Sequence, residues 1–578
     1  VNPILNNLAR AQLRARNGES RAHRYAAEAH GRYGQHAAAL HHADAAGDAQ
    51  TAGAFLRTYA QAAIATGDRR RVRSVAERID PGGMDADVRF YTEGLLDKAA
   101  ASQPARSHFA RAAEAATTSG DPAIAFHARA QMLEYDLGHL NAVDGADIER
   151  LAQSAGSLGP AAGAAVAVLR GWERAIAFDF ARALDELRAV GEIADVMTRF
   201  NVGILRAYAQ TALGERDAAQ DTLDELTRVL EDDDRAVLQT LTLVWFARLA
   251  LLWGRTDSAA EAAEQAARMA AALDLRSEEA ALYIALAEIA THAGDAAVAA
   301  RHAHRARERA DRAWYTGDVA RVRTFSEIVL ARAAFLAQDN ATALDLALRA
   351  AGAPEVPAVQ AAIALAEAAY YALLSNPESA GAILARANEA IGRARPLDAY
   401  DAVGLAHAND LLGFLAAADG QVQDRAILAA CAPFSGLLDV RRGLVSLDLA
   451  GLAVGNARRG QSEGTAAFDA ALVLLTRDGP RFEARLARAY ASRFIRPKPR
   501  SESPSAAIDL TAREREILAL LVDGLSNREI AARLIVSPRT IETHVERVLG
   551  KLEVGSRSRA IAKALRLGLV SLDQLSNP

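Results

Sequence analysis

The residue types and spacings that can do chemistry lie near the two ends of the 578-residue chain. Five histidines stand close to the start: His23, His30, His36, His41 and His42. Neutral imidazoles ligate zinc, but the metallopeptidase arrangement needs two of them one helical turn apart with a glutamate between. No pair here has that form. The one cysteine, Cys431, removes multi-thiolate sites and any internal disulfide framework. These histidines are therefore expected on solvated helix faces with no metal bound, as are His302 and His304 among Arg301, Arg305 and Arg307. A phosphate-cradling loop needs GxxxxGK[ST]. The Gly550-Lys551 pair has Val545 at the first glycine position and Leu552 after the lysine. A glycine-rich dinucleotide turn is missing as well, and the GxSxG match Gly460-Gln461-Ser462-Glu463-Gly464 opens a break between helices, not the strand-to-helix turn of a nucleophile elbow. No catalytic constellation remains, so the chain is expected to be no enzyme and to need no cofactor.

At the other end a polar helix face stands out. Ser537 reads as an N-cap with Pro538 at the first helical position, where a missing N–H is harmless. At about 100° per residue, Ile541, Val545, Val548 and Leu552 fall on one side of the helix that follows, which is expected to run to about Leu552. Arg539, Thr543, Glu546, Arg547 and Gly550 fall on the other, flanked by Thr540 and Glu542. Two capping boxes precede it, Thr511-Ala512-Arg513-Glu514 and Ser526-Asn527-Arg528-Glu529. The first opens a helix that turns Ile517, Leu518, Leu520 and Leu521 inward and stops at Gly524. The second opens a short helix through Arg533, and Leu534-Ile535-Val536 forms a turn. A fourth helix is expected from Ser556 to near Gly568. Two short helices joined by a tight apolar turn make a helix-turn-helix.

The stretch LTAREREILALLVDGLSNREIAARLIVSPRTIETHVERVLGKLEVGSRSRAIAKAL, residues 510–565, resembles the LuxR-type (GerE-like) DNA-binding domain. The opening LTxRE, the central GLSNREIA, the SPRTIETH helix and the KLxVxSR close stand in the family's order. The resemblance implies that the third helix enters the major groove of double-stranded promoter DNA. Arg539 and Arg547 would then meet phosphates or guanine edges, and Thr543 would offer a methyl or hydroxyl to a base. Thr540, Glu542 and Glu546 line the same face. Lys551 and Arg528 are placed for phosphates, and the helix N-termini at Ser526 and Ser537 add N–H donors. Many family members have lysine where this chain has Glu542. A carboxylate repels phosphates and gains only by accepting from cytosine N4 or through water, so Glu542 or Glu546 either reads a cytosine or stays solvated at the groove rim. The family commonly binds as dimers on two-fold sites, and RNA polymerase is the partner expected of an activator.

The elements upstream read as helix after helix. The chain is 51% hydrophobic with only 5% aromatics, and its excess of alanine favours closely packed helices over strands. Gly214, Gly254 and Gly294 recur every 40 residues, opening GERDAAQ, GRTDSAA and GDAAVAA, and Gly420 and Gly460 repeat the interval. Gly47-Asp48, Gly67-Asp68 and Gly120-Asp121 have the same character. A glycine that ends one helix, followed by a capping residue and small side chains, describes stacked helical hairpins. The pattern resembles tetratricopeptide-like repeats. Trp172, Trp245, Trp253 and Trp314 are expected in the repeat core. At the start, NPILNNLARAQLRARN and RAHRYAAEAHGRYGQHAAALHHADAAGD are similar to the junction after the winged helix in large maltose-regulator-like LuxR proteins. In those an ATP-binding module of the STAND class precedes the repeats. The nucleotide motif is absent here, so no ATP-binding residue carries over.

The net charge of −5 is uneven: 1–492 carry −10, 493–508 carry +3 and 509–578 carry +2. A basic tail on an acidic body points to an anionic partner at the C-terminus. No apolar signal segment opens the chain, and its most apolar run, Val237 to Trp253, is broken by Gln239 and Arg248. A cytoplasmic location without membrane contact is expected. The fold expected is all-α: a tetratricopeptide-like superhelix over 1–492, a Pro/Ser-rich linker over 493–508, and a small four-helix helix-turn-helix domain over 509–578. The function expected is transcriptional regulation, with the body receiving a small effector or a protein signal. The rivals are a signalling scaffold with secondary DNA attachment and a nucleotide-switched regulator.

Overall fold

The structure is a computed structural model. It describes residues 18–418 apart from short interruptions, 429–440, 482–494, 510–552 apart from 523–524, and positions 554, 557, 560, 561 and 564. Every regular element among them is helical. The expectations for Gly67, Trp314, Gly420 and Gly460, for the family-like stretch before residue 18 and for the linker beyond 494 lie outside these residues. The helices divide into two compact units, Val1–Ala285 with Arg305–Val322, and Leu286–His304 with Arg323–Pro578.

In the first unit, helices pair as antiparallel hairpins and then stack. Pro160–Ile176 packs on Phe180–Arg188 and on Val196–Ala212. The latter packs in turn on Arg216–Val229 and on Ala236–Leu252. Small residues allow the close approach: a Cβ added at Gly171 would lie 2.6 Å from a methyl of Leu205 on the next hairpin. Alanines and leucines fill the space between layers, with Ala183, Leu205, Ala207 and Ala219 wholly buried.

The breaks between paired helices share one backbone motif. Gly214, Gly254 and Gly294 adopt φ of 83°, 76° and 83°. In each case the following N–H reaches back five residues: Glu215 to Gln210 O at 2.8 Å, Arg255 to Ala250 O at 2.9 Å, Asp295 to Ala290 O at 2.9 Å. These are Schellman ends, which satisfy the last helical carbonyls. Phe178 (φ 62°) and Gln338 (φ 65°) do the same without glycine, with Asp179 and Asp339 bonded to Arg174 O and Ala334 O. The break therefore recurs at 178, 214, 254, 294 and 338. Asp295 and Asp339 then cap the next helix through their carboxylates, accepting from Val298 N and Thr342 N at 3.0 Å.

Four of the five histidines near the start gather together, with His41 exposed and His23, His30 and His42 half-buried; the side chain of His36 lies outside the described residues. Helices Gly18–Arg32 and His36–Ala45 bring three of them around His42: Nδ1 of His23 is 2.9 Å from Nδ1 of His42, the His30 ring stacks on it at 5.2 Å, and the His41 ring lies at 5.4 Å. Burial, and then repulsion from His23, His30 and His41, lower the pKa of His42. Trp253 is buried as expected. Trp172 and Trp245 are only half-buried, and with Tyr208 they form a three-ring cluster at 6.0 to 6.2 Å. The Arg248 guanidinium lies over Trp245 at 5.2 Å.

Among the described residues one helix is long and apolar enough to cross a membrane, Ala358–Ser375 in the second unit, and 78% of it is buried inside the protein. Within it Glu367 is 1% exposed. Its Oε1 accepts from Nε and Nη2 of Arg332 at 2.9 and 2.7 Å, and its Oε2 accepts from Tyr371 Oη at 3.1 Å. Next to this network Phe335, Tyr370, Tyr371 and Phe482 pack ring against ring. They anchor helix Phe482–Phe494, whose Leu486 carbonyl accepts from Tyr370 Oη at 2.5 Å.

Candidate nucleic-acid interface

The C-terminal helices form their own core from Leu510, Ile517, Leu518, Leu521, Ile530, Ile541, Val548, Leu552, Ala560 and Ala564, all nearly or wholly buried. The helices are Ala512–Val522, Asn527–Arg533 and Pro538–Lys551, and both capping boxes are formed. Thr511 N donates to Glu514 Oε2 at 2.8 Å while Glu514 N donates to Thr511 Oγ1 at 3.2 Å. Ser526 and Glu529 repeat the exchange at 2.6 and 3.3 Å. Ser537 caps the third helix by accepting from Thr540 N at 3.1 Å. The limits expected for the fourth helix, Ser556 and Gly568, lie outside the described residues. Arg557, Ala560, Ile561 and Ala564 are helical.

The turn between the second and third helices is again a Schellman end. Val536 N reaches Ala531 O at 2.9 Å, and Ile535 takes the left-handed position with φ 55°. A β-branched residue there costs roughly 1–2 kcal/mol, and its side chain is 92% exposed. Arginines from elsewhere in the domain hold a carbonyl at this turn and the start of the second helix. Arg513 Nη2 donates to Leu534 O at 3.3 Å. Arg557 donates to Leu525 O and to Asn527 Oδ1, its guanidinium pKa lowered by burial.

With its frame fixed in this way, the third helix buries Ile541, Val545 and Val548. All nine residues singled out from the sequence are exposed: Arg528, Ser537, Arg539, Thr540, Glu542, Thr543, Glu546, Arg547 and Lys551. Among the described residues Arg528, Arg539 and Arg547 carry no ion pair, so their guanidinium donors face solvent. Ser537 and Thr540 are bonded to each other, Oγ to Oγ1 at 2.8 Å. Thr543 donates its hydroxyl to Arg539 O at 3.1 Å, which turns its methyl and lone pairs outward.

Lys551 is placed differently from the others. Its Nζ donates to Glu514 Oε2 at 2.6 Å, tying the end of the third helix to the start of the first. A phosphate would have to compete with that carboxylate. The hydrogen bond from Lys551, then the Thr511 backbone N–H, hold the Glu514 carboxyl down to about 2. A carboxyl with a lowered folded-state pKa stabilises fully above its ordinary value of 4.5 and loses that contribution as pH falls toward 2. Glu514→Gln is therefore expected to destabilise the C-terminal helices by about 1–3 kcal/mol at pH 7. In thermal melts the gap from the parent should close between pH 4.5 and 2; a gap constant across that range contradicts the assignment. Sequence reasoning identified Glu514 as a cap but missed the lysine, because nothing in the spacing marks two residues 37 apart as neighbours.

The sequence over these helices matches known proteins. The family model for bacterial regulatory proteins of the luxR family matches residues 509–564. A 59-residue stretch is 48% identical to the putative HTH-type transcriptional regulator Mb0914c of Mycobacterium bovis, covering 10% of this chain and 7% of that protein. The spore germination protein GerE of Bacillus subtilis is 41% identical over 63 residues, 11% of this chain but 85% of GerE. Among solved structures, a STAND protein with a tetratricopeptide repeat sensor, PH0952 from Pyrococcus horikoshii, overlays on 64% of this chain and 54% of its own at a TM-score of 0.43 and 13% identity. Through its C-terminal helices, the chain belongs to the luxR family of bacterial regulatory proteins.

Proposed function

We propose that the chain is a sequence-specific DNA-binding transcriptional regulator whose third C-terminal helix, Pro538–Lys551, lies in the major groove of promoter DNA. The observation that carries this reading is the split of that helix. Its apolar side is locked into the domain core, while Arg539, Thr543, Glu546 and Arg547 stand exposed on the other. Phosphate contacts position such a helix and base contacts specify its site. Arg539 and Arg547 supply donors for guanine O6 and N7 or for phosphates, Arg528 meets the backbone, and either Glu542 or Glu546 accepts from cytosine N4. One such domain offers modest area, so two copies bind a two-fold site, and RNA polymerase is the partner where the protein activates. The helical body receives the signal, a small effector or a partner protein. The half-buried Trp172 and Trp245 with Tyr208 and Arg248 support that role, because aromatic faces beside a cation suit ligand recognition. The chain acts without catalysis.

Single Glu542→Ala and Glu546→Ala variants, assayed on duplexes scanned base by base, test the readout. One of them relaxes discrimination at a C·G pair by about 1–3 kcal/mol. Unchanged preference in both places the carboxylates at the rim and removes cytosine reading.

A further inference from the structure

Helix Arg69–Arg78, RRRVRSVAER, holds five arginines and one glutamate in ten residues. It does so inside a body, 1–492, whose net charge is −10. Val72 and Val75 are buried, which turns positions 70, 71, 73, 74, 77 and 78 to solvent. Three of the arginines are engaged: Arg69 has a partner of its own, and Arg71 Nη1 lies 3.7 Å from Asp68. Arg78 pairs with Asp44 and donates from Nε to Ser74 O at 3.1 Å. Arg70 and Arg73, neighbours at i and i+3, carry no ion pair among the described residues, and Glu77 one turn further forms none either.

The composition of this face selects the partner. A protein interface needs an apolar or aromatic anchor at its centre, and the exposed positions here are Arg, Ser and Glu alone. Phosphates need only charge and planar donors, which arginine supplies. The C-terminal domain is also short of cations for a DNA reader. It carries +2 over 509–578, its Lys551 is held by Glu514, and Glu542 and Glu546 sit on its exposed face. Phosphate neutralisation dominates affinity for a duplex, so positive charge elsewhere on the chain adds what the reading helix lacks.

We propose that the outer face of helix Arg69–Arg78 is a second, sequence-independent seat for duplex DNA, with Arg70 and Arg73 meeting backbone phosphates. The inference rests on DNA being the partner of this chain. It is tested with the full chain and a pool of random-sequence duplexes 40 base pairs long (roughly four helical turns), titrated across a range of salt. Arg70→Ala/Arg73→Ala lowers affinity for the pool about tenfold at low salt and makes the slope of log K against log salt shallower by about 2. Both side chains are exposed, so its melting curve matches the parent. An Arg539→Ala/Arg547→Ala chain, measured alongside, reports on the C-terminal helix separately. If that pair weakens binding while Arg70→Ala/Arg73→Ala changes neither affinity nor slope, the second seat is refuted and the regulator reading stands. If neither pair changes pool binding, the second seat is refuted and Arg539 and Arg547 are left to base reading, which the specific duplexes judge. Loss of binding to poly-glutamate with duplex affinity intact would make the face a seat for an acidic protein and overturn the proposal.

Discussion

Arg547→Ala is expected to weaken binding to a specific duplex by about 1–3 kcal/mol, roughly 5- to 150-fold, and Arg539→Ala by a similar amount. Both guanidinium groups are exposed and without ion pairs among the described residues, so neither change disturbs the core and the melting curve stays within about 0.5 kcal/mol of the parent. The pattern of loss separates two roles. An arginine paired to guanine loses discrimination at one base position. An arginine on a phosphate weakens all sequences alike and makes the salt slope shallower by about 1. Affinity unchanged in both variants would remove the third helix from the interface.

The second large effect concerns the body. Glu367→Ala is expected to destabilise the second unit by about 3–5 kcal/mol, read as a fall in the denaturant midpoint. The carboxylate is 1% exposed, and its removal leaves the Arg332 guanidinium, itself 11% exposed, without its closest counter-charge. Glu288, at 3.9 Å, is too far to replace a pair of hydrogen bonds at 2.7 and 2.9 Å. Replacing both partners, Arg332→Met with Glu367→Leu, should recover most of the loss, because the penalty belongs to the stranded charge rather than to the pair. Equal destabilisation by the single and the double variant would show that packing, not charge, is responsible.

How much of this was legible in the sequence depended on whether the signal was local. Caps are local, so Thr511, Ser526 and Ser537 and the helices they open could be placed from residue types alone, and the buried stripe Ile541–Val545–Val548 followed from helical period. The glycine breaks at 214, 254 and 294 were legible because glycine tolerates φ above zero. Phe178 and Gln338 make the same break with side chains that carry no such mark, so the repeat showed fewer turns than it has. Contacts between distant positions were illegible. Neither the tie from Lys551 to Glu514 nor the gathering of His23, His30 and His41 around His42 leaves a trace in spacing. The apolar run Val237 to Trp253 falls on helix Ala236–Leu252, and a second apolar helix, Ala358–Ser375, was not legible as such because its acid, Glu367, is neutralised by Arg332, 35 residues earlier.

The most direct measurement is selection by the full chain from a pool of random duplexes, followed by sequencing of what is retained at moderate salt. The account predicts an enriched motif built of two inverted half-sites, which the Arg539→Ala/Arg547→Ala chain fails to enrich. A folded chain that retains no sequence above background, even when salt is lowered until duplexes bind, would contradict it.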